Sequence, residues 1–141
     1  MDERVLPRHT CRQQLLEELK KPFVDEGIYN ETFRPFLDSC VELLEDGSYT
    51  SHYKNHVQIE YIQKCWDIEF ENYYKKIKCP VLFIPSTDEW NNEKIRNSLA
   101  AFSNYLTSYE VQQIPNTNHA YVWMEQPKKA AGLVKEFIES L

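Results

Sequence analysis

The stretch Ile77-Lys78-Cys79-Pro80-Val81-Leu82-Phe83-Ile84-Pro85-Ser86-Thr87-Asp88-Glu89 constrains the fold of this chain more than any other. Val81 to Ile84 are four apolar residues without alternation, and the run breaks off at Pro85-Ser86 just before two carboxylates. Such a run marks a strand covered on both faces, as in the interior of a parallel sheet. Open α/β sheets place their chemistry beyond the C-terminal ends of those strands. Further on, Ile114-Pro115-Asn116-Thr117-Asn118-His119 repeats the pattern, a strand-like segment running into a loop that carries a histidine. An acid after one strand and a histidine after the next are two of the three parts of a nucleophile–histidine–acid site.

Between and after these segments the pattern is helical. Ile95, Leu99, Phe102 and Leu106 form a stripe at helical spacing, which predicts a helix over 92–106 with a buried face. Pro127 suits a first helical position, and Ala130, Ala131, Val134, Phe137, Ile138 and Leu141 continue as the apolar face of a final helix. Strands over 78–84 and 109–114 joined by a helix-length crossover predict a right-handed parallel β-α-β-α unit. Two parallel strands make a poor sheet alone, so this half calls for more strands than the chain supplies.

The front half reads as all-helical. Leu15, Leu16 and Leu19 share one side of a helix from Arg12 to Lys20 that Pro22 is expected to close. Asn30-Glu31-Thr32 can cap a second helix carrying Phe33, Phe36, Leu37, Cys40 and Leu44, with Pro35 in its first turn and Asp46-Gly47 at its end. Tyr53, Val57, Tyr61 and Cys65 suggest a third helix within 50–64. The chain therefore divides into a helical region, 1–76, and an α/β region, 77–141.

With 141 residues, 27% charged and 42% apolar, this is an ordinary single-domain length and a globular composition. A formal charge of −6 and the absence of any Lys/Arg cluster argue against nucleic acid as a partner. No segment is long and apolar enough to suggest a membrane partner, and the acidic opening Met1-Asp2-Glu3-Arg4 does not resemble a secretory leader. Cys11, Cys40, Cys65 and Cys79 contain no CxxC pair, which predicts free, mostly buried thiols in a reducing cytoplasm, without a zinc site or a disulfide framework. His52 and His56 stand four apart and could share a metal on a helix face, but no third ligand lies in sequence reach, so a solvated face is the better reading. The aromatic residues of the front half could line an apolar pocket, although helix packing accounts for most of them.

Lys76 to Ile84, the acid loop, Ile114-Pro115 with His119 five residues after Ile114, and Glu125-Gln126-Pro127 resemble the C-terminal third of an α/β-hydrolase fold protein. The resemblance covers 77–141, and the helical front is similar, less specifically, to the lid that such proteins insert ahead of their last two core strands. It implies a partial α/β-hydrolase fold with Glu89 as the triad acid, Asp88 one place away, His119 as the triad histidine, and no cofactor. Ser86 and Asn118 depart from the family, which usually has glycine at both places.

The nucleophile half is missing. No serine of the chain sits in the G-x-S-x-G setting that a strand–turn–helix elbow requires, and the oxyanion-hole glycines are absent as well. Two functions are therefore expected to compete. One is the acid–histidine part of an acyl hydrolase or acyl transferase, acting on a small-molecule acyl substrate when a nucleophile is supplied from elsewhere. The other is a catalytically inert remnant or binding module. Either way, the short sheet predicts self-association or a partner chain that completes it.

Overall fold

In the computed structural model, residues 6–118 and 121–141 are described. The chain forms two compact units that divide between Ile68 and Glu69. Helices and two small sheets make up both, so the fold is α/β in the broad sense.

In the first unit, α1 (Arg12–Asp25) is followed by a 3₁₀ turn (Glu31–Phe33) that leads into α2 (Arg34–Ser39). Asn30 caps this entry by accepting the Thr32 N–H at 2.9 Å. Leu15, Phe33 and Leu37 are buried, and the Phe23 ring lies 5.0 Å from that of Phe33 and edge-on to Phe36 at 6.2 Å. Pro22 does not close α1, as the sequence suggested, but sits inside it. A proline there removes one helical hydrogen bond. Continuing the helix is what brings Phe23 against Phe33 and Phe36.

The all-helical front is corrected here. Val41–Leu43 (β1) and Tyr49–Ser51 (β2) pair antiparallel around a turn at Asp46-Gly47, where helices had been expected. Gly47 takes φ +79°, which suits a hairpin turn as well as it suits a helix end. The Asp46 carboxylate accepts both the N–H of Ser48 (2.9 Å) and its hydroxyl (2.5 Å). His9 adds a bridge to the outside of the hairpin, exchanging backbone hydrogen bonds with Tyr49 at 2.8 and 2.7 Å. The next helix, α3 (Asn55–Trp66), buries none of its residues; of the expected stripe, Tyr53 precedes it, Tyr53, Val57 and Tyr61 are exposed, and Cys65 is half-buried.

The second unit begins with α4 (Phe70–Tyr74) and then keeps the predicted strand–helix–strand–helix order, with two short helices, α5 and α7, added where loops had been expected. It runs through β3 (Val81–Phe83), α5 (Thr87–Asn91), α6 (Glu93–Ser103), β4 (Tyr109–Val111), α7 (Val122–Glu125) and α8 (Pro127–Glu139). β3 and β4 are parallel, with Val81, Leu82 and Phe83 opposite Tyr109, Glu110 and Val111. Successive strand residues point to opposite faces. Phe83 accordingly meets Phe102 of α6 edge-on at 5.3 Å, with Tyr74 stacked on Phe102 at 3.8 Å. Ile84 instead joins Ile114, Val122, Ala130 and Leu133 on the side of α7 and α8.

Two strands cannot bury two whole faces. Val81 to Ile84, expected to be deeply covered, are only half-buried. Ile95 at the start of α6 is exposed, as are Ala131 and Ile138 of α8 and Leu141 beyond its end. The four cysteines are free as expected but not mostly buried, since Cys11 and Cys79 are exposed and the other two half-buried.

Candidate functional site

The site follows the two parallel strands. Ser86 ends the β3 segment with φ −70° and ψ 174°, and its hydroxyl accepts the Glu89 N–H at 3.2 Å. Glu89 returns the bond, its Oε2 accepting the Ser86 N–H at 2.7 Å. This reciprocal capping box starts α5 and fixes the Glu89 carboxylate beside the end of β3. Asp88 stands in the same first turn with its side chain exposed, where the helix N-terminus favours negative charge. Of the two asparagines that follow, Asn91 closes α5, whereas Asn92 caps α6 by accepting the N–H groups of Lys94 and Ile95 at 3.0 and 3.4 Å.

The loop after β4 is held from two sides. Thr87 N–H donates to the Thr117 carbonyl at 3.0 Å, and the Thr87 hydroxyl accepts the N–H of Asn116 at 2.7 Å. On the other side, Glu125 Oε1 accepts the Asn118 N–H at 2.7 Å, and Gln126 Nε2 donates to the Pro115 carbonyl at 2.8 Å. Thr117 is itself buried, with its hydroxyl donating to the Ile114 carbonyl at 2.7 Å. The acid loop and the loop leading to His119 are thus bonded to each other at one end of the sheet. His119 lies outside the described residues.

Neither place where the resembled family usually has glycine needs one in this chain. Ser86 is in ordinary extended backbone and is wholly buried as a cap. Among the described residues of the loop, Asn116 takes left-handed backbone, at φ +59°, and asparagine adopts that conformation readily.

Among the described residues, Cys40 makes a poor candidate nucleophile. Burial pushes the Cys40 thiol up, against a smaller opposing effect of a Ser39 hydrogen bond, and a raised thiol is a poor nucleophile. His52 precedes α3 and only His56 lies in it, so the two do not share a helix face. Among the described residues no cluster of three or more His, Cys, Asp or Glu side chains is placed to hold a metal ion. Among them, too, no helix is long and apolar enough to cross a membrane. Comparison with family models, curated proteins and solved structures found no match to this chain.

Proposed function

We propose that this chain is the acid–histidine part of an α/β-hydrolase-like protein, acting in hydrolysis or transfer of an acyl group when a partner chain supplies the nucleophile. The observation that carries the reading is the bonding of Thr87 to Thr117 and Asn116, which ties the acid loop to the loop that leads into His119. In this reading His119 is the general base, Glu89 orients its ring, and Asp88 is the alternative acid. The capping box supports Glu89, because it holds the Glu89 carboxylate in one place beside the end of β3. No cofactor enters the scheme, the substrate is a small acyl compound, and the free thiols suit a reducing cytoplasm.

The second reading is an inert remnant or binding module, and the same capping box favours it. A carboxylate that accepts a backbone N–H at a helix start has a structural use that requires no histidine. The two readings part on the titration of the His119 ring, followed by NMR. An orienting carboxylate stabilises the imidazolium and lifts the midpoint above the ordinary value of about 6.5. Glu89→Gln should lower that midpoint, and Asp88→Asn should leave it where it is. An unmoved midpoint in both variants would rule out the acid–histidine pair and leave the binding module. In either case the chain alone should hydrolyse p-nitrophenyl acetate no faster than its His119→Ala variant, since nucleophile and oxyanion hole are both missing.

A further inference from the structure

We propose that the outer edge of β3 pairs with the same edge of a second copy of this chain, antiparallel and about a two-fold axis at Phe83. In a parallel pair, alternate residues of a strand turn both their backbone polar groups toward the same neighbour. The phase is set by three bonds to the β4 segment. Val81 N–H donates to Ser108, while the carbonyls of Phe83 and Pro85 accept from Gln112 and Ile114, at 3.2, 2.9 and 3.3 Å respectively. Residues 81, 83 and 85 therefore face β4, and the N–H and C=O groups of Leu82 and Ile84 face the opposite edge. Among the described residues those groups have no hydrogen-bond partner, and both residues are half-buried.

The edge is self-complementary in one register. Setting Leu82 opposite Ile84′, and Ile84 opposite Leu82′, pairs every outward N–H with an outward C=O. A slip toward the N-terminus brings Pro80 into the outward phase, and proline has no N–H to give. Charge points to the same edge. β4 carries Glu110 at its centre, a residue type that blunts strand edges, whereas Val81 to Ile84 contain no ionisable group to repel a like strand. Joined this way, two marginal two-stranded sheets become one four-stranded sheet with the order β4-β3-β3′-β4′. The same edge is where a nucleophile-bearing chain would add, so the pairing is the state of the chain without one. It stands independently of the acid–histidine reading, because its readouts are mass and distance, not histidine titration.

The test uses the full chain with Cys11→Ser, Cys40→Ser and Cys65→Ser, spin-labelled at the exposed Cys79. Cys79 lies four residues from the axis, so the two labels are about 27 Å apart along the paired strands. The expected result is twice the chain mass in sedimentation, and a single distance near that value by double electron–electron resonance. Leu82→Pro removes two of the four bonds and should weaken the dimer roughly tenfold or more. A monomeric mass throughout a dilution series would overturn the proposal, and so would a dimer whose labels lie at another distance. If Leu82→Pro fails to fold, the label distance in the unsubstituted strand decides alone.

Discussion

Thr87 is bonded to the Thr117 loop through both its backbone and its side chain. Its N–H reaches the Thr117 carbonyl at 3.0 Å, and its hydroxyl receives the Asn116 N–H at 2.7 Å. A side chain at the first position of one helix thus organises a loop that follows a different strand. Thr87→Val keeps the shape and removes the acceptor, leaving the Asn116 amide without it. We expect a loss of about 0.5–1.5 kcal/mol in denaturant unfolding, with faster hydrogen exchange at Asn116. An unchanged midpoint would mean that the Thr87 N–H, Glu125 and Gln126 hold the loop without the hydroxyl.

Ser86 gives a second test. Ser86→Gly installs the residue that the resembled family favours, yet no left-handed backbone here calls for it. The hydroxyl that caps Glu89 N–H is lost, and glycine adds freedom to the unfolded chain. The expected outcome is destabilisation of roughly 1 kcal/mol in urea. A gain in stability would show that the serine is strained.

Pro22→Ala should act in the opposite direction. Pro22 lies inside α1 with its ring exposed, and alanine restores an N–H to the helix. The substitution should stabilise the first unit by up to about 3 kcal/mol, visible as a rise in thermal midpoint. No rise would indicate that the helix has already adapted to the proline.

Asp46 makes the hairpin sensitive to acid. Hydrogen bonds from the Ser48 hydroxyl and then its N–H hold the carboxyl below its ordinary value, with Arg8 at 2.9 Å adding less. A lowered folded pKa gives stability that is present above the unfolded value, about 3.9, and lost as pH falls through the folded one. Exchange protection at Leu44 and Ser48 should therefore drop below about pH 4 in the native chain. Asp46→Asn should be less protected at neutral pH and should lack that acid step. If both proteins show the same step, another carboxylate is responsible.

The second half of the chain could be read from its sequence because its elements obey local rules. The run Val81 to Ile84 and Pro127 at a helix start each carry their meaning within a few residues. The hairpin was hidden because Asp46-Gly47 serves equally as a helix end and as a turn. Phe33, Leu37, Cys40 and Leu44 also keep helical spacing, although residues 41–43 are extended. The capping box is legible as Ser86-x-x-Glu89, and capping is the structural alternative to a triad role for Glu89 and Asp88. Thr87 and Thr117 gave no signal at all. Their bond joins residues 30 positions apart, and no periodicity reports that.

The two sheets also differ in how much chain each must close. Leu43 and Tyr49 are six positions apart, whereas Phe83 and Val111 are 28 apart. Loop-closure entropy alone makes the second pairing dearer by about 1.4 kcal/mol. The hairpin can form within microseconds of local search, while the parallel pair must wait for its crossover helices. Pulse labelling should therefore show amides of 41–51 protected before those of 81–83, and the reverse order would refute this sequence of events. Until β4 arrives, the apolar run from Val81 to Ile84 has both edges open. The interval between the two closures is thus when a newly made chain is most exposed to aggregation.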